Sequence, residues 1–323
     1  MARIFQLKPR TLYSWYRDVI SSFHSDTTKG RFAAHRVYDV DADTGEINKE
    51  QVVHIVEPKQ IGANMCLDEK MVSKKYTTIL SNQETGKIAL LIDSVNPVLV
   101  KKAISCLGQE QLEGIKNISA DMSPVMKKII RESIPQATIV IDKFHVIKHI
   151  LDALNAIRLG LKQEAKQSLE ASAANPNGWT DLQLLEKTRY LLFKLETELD
   201  SEQKQVLHFV LGKYPRLYTA YYLVQEIRTW YNPKNIGQPV TAIDNELHRW
   251  LQKVKETKIK AFQPIVKMFN THYQDIIRYF EKGLTNAKAE NLNGHIQRLI
   301  TTNFGTRDRN FFFYRLKIYY SST

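Results

Sequence analysis

ISADMSPVMKKIIRESIPQATIVIDKFHVIKHILDALNAIR, residues 118–158, alternates between two periodicities. A short apolar run, Ile118 to Ala120, ends in Asp121. Pro124 then opens an amphipathic segment, and proline is tolerated in the first turn of a helix. A second apolar run, Thr138 to Ile141, ends in Asp142. After His145 the spacing becomes helical. Short apolar runs separated by a helix-length segment read as buried strands of an α/β sheet.

The same rhythm extends upstream. IGANMCLDE (61–69) is a short apolar strand ending in acid. YTTILSNQETGKIALLIDSV (76–95) is two strands around an Asn/Glu-Thr-Gly turn, and NPVLVKKAISCLGQEQ (96–111) is helical. Three strands, a helix, a strand, a helix and a strand predict a mixed sheet flanked by helices. Further upstream, HRVYDVDADTGEINKEQVVHIVEPK (35–59) alternates on both sides of Asp43-Thr44-Gly45, which predicts a β-hairpin. The acids Asp39, Asp41 and Asp43 do not make a calcium loop, because the glycine falls one place late. Around Leu12, Trp15, Tyr16, Val19 and Ile20 the spacing predicts a helix. It is either the end of a helix-turn-helix or a short amphipathic helix packed on the core.

Downstream, residues 151–283 are helical, broken at NPNGWT (175–180) and NPKNIGQP (232–239). They read as a helical insertion. The last segment opens with a helix near Asn286 and is rich in arginine and aromatics: Arg298, Arg307, Arg309 and Arg315, with Phe304, Phe311, Phe312, Phe313 and Tyr314. Arginines pair with phosphates, while the aromatics either stack on unpaired bases or fill the core. The chain thus divides into an N-terminal helix and hairpin (1–60), a first sheet segment (61–150), the insertion (151–283) and a closing helical segment (284–323).

Composition narrows the function classes. The chain has 323 residues, with 46 Lys and Arg against 34 Asp and Glu, a net charge of +12. Such an excess points to a polyanionic partner. No apolar run reaches the roughly 20 residues of a membrane span, and the start lacks the apolar centre of a secretory signal. Cys66 and Cys106 stand alone, with no CxxC pair, which excludes a zinc finger on this chain and fits a reducing cytosol.

Asp68, Asp121 and Asp142 each follow a predicted strand. Acids at strand ends converge on one edge of an open sheet, where such sheets usually place their sites. Hard divalent metals need oxygen ligands, and two of them can clamp both oxygens of a phosphoryl transfer. An acid in that position is also an ordinary helix cap, and Asp121 could cap the helix starting at Pro124.

Three pieces together resemble the DDE-type transposases of bacterial insertion sequences, the ISL-type group: LDEKMVSKKYTTIL (67–80), the stretch 118–158, and TNAKAENLNGHIQRLITTNFGTRDRNFFFYRLK (285–317). The resemblance spans residues 60–320. It implies an RNase H-like catalytic core with a helical insertion before the last acid, and a metal-binding catalytic triad of Asp68, Asp121 and Glu290. It implies two Mg²⁺ ions, replaceable by Mn²⁺, with Asp68 bridging both. Asp142 and His145 fall on the family's Asp-x-Phe-His element and would support the site. Asp93 is the rival for the first acid. Asn293 and Arg298 share a helix face with Glu290. Lys288, Arg298, Arg307 and Arg309 would hold DNA.

The activity implied is cleavage at the element's ends followed by in-line strand transfer into target DNA, in the bacterial cytoplasm on the nucleoid. Its DNA partners would be the terminal inverted repeats and the target, with a homodimer as the active complex. A nuclease or resolvase that never joins strands, and an inactive DNA-binding descendant, are the other readings. Members of the group carry an N-terminal cysteine-rich zinc module that this sequence lacks. Either a separate zinc-bearing chain supplies it or the copy is truncated.

Overall fold

The computed structural model describes residues 8–30, 32, 35–72, 74–167, 179–284, 287–302 and 308–321. It divides into two compact units, one of residues 1–140 with 284–323 and one of Ile141–Gly283.

In the first unit the strands are β1 (His35–Val40), β2 (Ile47–Val56), β3 (Asn64–Val72), β4 (Lys75–Asn82), β5 (Ile88–Ile92), β6 (Asn117–Ala120) and β7 (Thr138–Ile141). They form one sheet in the order β1-β2-β5-β4-β3-β6-β7. β3, β4 and β5 are an antiparallel meander, and β3 also pairs with β6 in parallel. This α/β arrangement is the RNase H-like core that the resemblance implies. The turn from β4 to β5 is set by its sequence: Asn82 Oδ1 accepts the N–H groups of Glu84 (2.8 Å) and Thr85 (3.1 Å). Gly86 takes φ +73° there, a conformation costly for any residue with a Cβ. The hairpin read at residues 35–59 joins the same sheet, through β2 on β5.

Helices of the first unit are α1 (Pro9–Trp15), α2 (Phe23–Thr28), α3 (Pro97–Ser105), α4 (Gln109–Glu113) and α5 (Pro124–Ser133). One sheet face is covered by α3 and α5, where Met65, Leu67, Leu90, Ile118 and Ala120 meet Leu99, Ile104, Met126 and Ile130. Residues of alternate parity point to the other face. There Val72, Ile79, Ile88 and Leu91 meet Leu292, Ile296, Phe312, Phe313 and Leu316 from the end of the chain.

In the second unit α6 (Lys143–Gln167), α7 (Asp181–Lys187), α8 (Arg189–Leu192), α9 (Ser201–Lys213), α10 (Pro215–Trp230), α11 (Val240–Glu256) and α12 (Gln263–Lys282) pack around a core containing Leu154, Leu207, Tyr221, Trp230, Phe262, Phe269 and Phe280. Buried Trp230 and Trp250 keep their indole N–H groups paired, donating to the carbonyls of Ile243 (3.0 Å) and Leu223 (2.8 Å). The first unit is completed by α13 (Ala287–Thr302) and α14 (Arg309–Tyr320).

The N-terminal helix departs from the expected single face. A π-helical turn at Tyr16–Ile20 follows α1, and Ser22 adopts φ +63° before α2. The wider turn shifts the helical phase, so Trp15, Val19 and Ile20 are exposed while Tyr16 and Phe23 pack against Phe32, Phe311 and Tyr314. No helix among the described residues is long and apolar enough to cross a membrane.

Candidate active site

Asp68 lies inside β3 and Asp121 one residue past β6. The two strands pair Asn64 with Asn117, Met65 with Ile118 and Cys66 with Ser119. Continued two places, from 66 and 119 to 68 and 121, that register sets Asp121 opposite Asp68. Parallel neighbours lie about 4.8 Å apart, and equal register puts both side chains on one face. That face is the one covered by α13.

The link to α13 is direct. Asn293 Nδ2 donates to Asp68 Oδ2 at 2.6 Å, and the other carboxylate oxygen accepts the Glu69 backbone N–H at 2.8 Å. Glu290 lies in the first turn of α13, exposed, three residues before Asn293. Among the described residues no group of three or more His, Cys, Asp or Glu side chains is close enough to hold one metal ion. The structure therefore brings Asp68 and Asp121 together and ties α13 to Asp68 through Asn293.

Asp121 does not cap the following helix. Ser123 does, its hydroxyl accepting from the Met126 N–H, while Asp121 Oδ1 accepts the Ser123 N–H at 2.8 Å. The cap thus falls to a serine and leaves the Asp121 side chain at the strand end. Glu69 is an acid that the motif reading passed over. Burial raises its pKa first, and the Asp121 and Asp68 carboxylates raise it further. Its signal in the sequence was the Asp68-Glu69 doublet, two acids where a buried strand usually carries none.

Asp93, the rival first acid, is committed elsewhere. It accepts from Thr77 Oγ1 (3.0 Å) and from Arg309 Nε (2.9 Å), and also pairs with Arg309 Nη2. Arg309 donates in addition to the Val72 carbonyl at 2.8 Å and lies over the Phe313 ring. Its guanidinium fastens α14 to the sheet rather than facing outward for DNA. Arg298 and Lys288 on α13 are exposed, and Arg307 lies outside the described residues. Phe311, Phe312, Phe313 and Tyr314 are all buried, so they belong to the core and not to a base-stacking surface.

Asp142 and His145 belong to the second unit. Buried Asp142 accepts the Phe144 N–H at 3.1 Å, a capping bond at the start of α6, and stands 3.8 Å from His145 Nε2.

The sheet thus carries two neighbouring aspartates, and the helix that bears Glu290 is tied to one of them through Asn293. Comparison with known proteins gives the family. A family model described as Transposase, of the DDE ISL3 type, matches residues 65–316, and the chain belongs to that family. The transposase for insertion sequence element IS1557 of Mycobacterium tuberculosis is 24% identical over 244 residues, covering 72% of this chain and 54% of that protein. The transposase for insertion sequence element IS1001 of Bordetella parapertussis is 24% identical over 205 residues, covering 63% and 47%. The chain spans about half the length of the curated relatives it matches. The Drosophila P element transposase strand transfer complex aligns over 88% of this chain and 74% of its own at 11% identity, with a TM-score of 0.35.

Proposed function

We propose that this chain is the catalytic part of a transposase that cleaves DNA at the ends of an insertion sequence and joins the freed 3′-hydroxyl to target DNA. Asp68, Asp121 and Glu290 are its catalytic acids. The observation that carries this reading is the register match of Asp68 with Asp121, combined with the Asn293 bond that ties the Glu290 helix to Asp68.

Three carboxylates supply only hard oxygen donors, a set that suits Mg²⁺, with Mn²⁺ able to substitute. Two such ions would activate the attacking water or hydroxyl and neutralise the reacting phosphate. Glu290, exposed on the first turn of α13, would complete the set when DNA and metal draw that turn inward.

The chain's own residues would do the rest. Asn293 orients Asp68, leaving its remaining lone pairs for metal. Arg298, eight residues after Glu290 and exposed, and Lys288 contact the DNA backbone near the scissile phosphate. Asp142 caps α6 and stands beside His145 within the helical unit. The helical unit Ile141–Gly283 lies in sequence between Asp121 and Glu290, as an insertion before the last acid. Terminal repeats and target DNA are the substrates, and two copies pairing two ends form the active complex.

The test is cleavage and joining of a labelled element end with Mg²⁺ or Mn²⁺, for wild type, Asp68→Ala and Glu290→Ala. Cleavage and joining by wild type alone is the expected result. Cleavage without joining would indicate a nuclease. DNA binding by folded wild type without cleavage would indicate an inactive descendant. Either outcome overturns the proposal, as does cleavage by a triad variant.

A further inference from the structure

The last turn of α11 and the link to α12 read KVKETKIK, residues 253–260, four lysines and one glutamate. Lys253 is paired with Glu226 at 3.0 Å. The glutamate, Glu256, accepts from Gln252 Nε2 at 2.9 Å. Lys255, Lys258 and Lys260 are exposed, and among the described residues none of them has an acid partner. Lys255 and Lys258 line one open hollow of about 260 Å³ with Val254, Ile259, Gln263 and Val266.

Lys258 has a second peculiarity. Its φ is +53°, in the left-handed region. It follows the C-cap Thr257 of α11, where a helix usually ends on glycine because a Cβ is strained there. The next helix, α12, obeys that rule with Gly283 at φ +63°. At the end of α11 a lysine occupies the place where glycine would cost less. Strained residues of this kind cluster at ligand-binding and active sites.

We propose that Lys255 and Lys258 form a contact of the helical unit with the sugar–phosphate backbone of duplex DNA, separate from the basic residues of α13. The proposal rests on the reading of the chain as a DNA-processing enzyme and names a further part of its substrate surface. The hollow is open, its floor is apolar, and its two ammonium groups have no competing acid. Those are the features of a groove for an extended polyanion. Lys260 and Lys267, close by in the sequence, are exposed as well.

The test compares the full chain with Lys255→Gln/Lys258→Gly and with a charge-matched control, Lys194→Gln/Lys204→Gln. Affinity for a duplex carrying the element end is measured from low to physiological salt. Each lost phosphate contact should lower the slope of log K against log salt by about 0.9, so the first double variant should lose about 1.8 and the control almost nothing. Lys258→Gly alone should melt no lower than wild type, because it relieves the left-handed strain, and yet bind DNA more weakly. An unchanged slope with intact wild-type binding overturns the contact and leaves the transposase reading standing. Preference for single-stranded RNA over the duplex also overturns it. Wild type that binds no duplex at any salt overturns both.

Discussion

Asn293 and Asp68 are joined by a 2.6 Å hydrogen bond across 225 residues of sequence. The bond fixes one carboxylate oxygen of a proposed catalytic acid from a helix that follows the whole helical unit in sequence. Side chains that orient a metal ligand typically contribute 10–100-fold to affinity or activity. Asn293→Ala should lower the cleavage rate by about that factor and raise the Mg²⁺ concentration needed for half-maximal rate. A metal titration of cleavage measures both. A variant with unchanged metal dependence would reduce Asn293 to a packing residue.

Neighbouring residues at the end of β6 have separable tasks. Ser123→Ala removes the cap of α5 and should cost about 1 kcal/mol, read from urea unfolding, with cleavage surviving. Asp121→Asn keeps the bond to the Ser123 N–H, so it should unfold at nearly the wild-type midpoint while cleavage is lost. The opposite pattern would mean that Asp121 is structural.

The pair Arg309 with Asp93 should be a stability element. Its side chains are 21% and 7% exposed, and the arginine also holds the Val72 carbonyl. Removing one partner of a largely buried ion pair costs about 3–5 kcal/mol. Arg309→Ala should therefore lower the unfolding free energy by about 3 kcal/mol. Its DNA affinity, measured below the melting range, should stay near that of the wild type. A large loss of affinity without loss of stability would return Arg309 to the DNA surface.

His54 gives the protein an acid sensitivity. Burial pushes its pKa down from 6.5 to about 4, the Arg309 charge lowers it and Asp93 opposes. It stacks on Phe313 with ring centroids 4.1 Å apart. A histidine with a depressed folded pKa binds fewer protons folded than unfolded, so stability rises with pH. The stability is present above the unfolded value of 6.5 and is lost as pH falls toward 4. Between pH 7.5 and 5 the loss should be about 2 kcal/mol. His54→Leu should flatten the unfolding free energy over that range. A slope equal to that of the wild type would assign the acid sensitivity to other groups.

Strand-forming runs with acids at their ends made the sheet legible, because a strand buried on both faces needs continuous apolar residues. Asp121 stood out for the same reason, since an acid ends the run, whereas Asp68, expected at a strand end, lies in the middle of β3, which runs on through the polar Glu69 and Lys70 to Val72. Arg309 was misread because an arginine beside aromatics has the same local sequence whether it faces DNA or an acid 216 residues away. Exposure of Trp15, Val19 and Ile20 could not be read because one π-helical turn changes the phase on which helical spacing depends. Lys258 gave no signal at all, since left-handed backbone is a property of the turn and not of the residue name.

Among the described residues, the apolar cluster on one sheet face is completed by α13 and α14. On the ribosome the strands emerge first and the 143 residues of the helical unit follow. Synthesis at about 5–20 residues per second leaves that apolar face bare for on the order of ten seconds. Asp68 stays without Asn293 for the same interval. A nascent or prematurely terminated chain should therefore be unable to cut DNA and prone to aggregate. Competence would arrive only once α13 and α14 have emerged and docked.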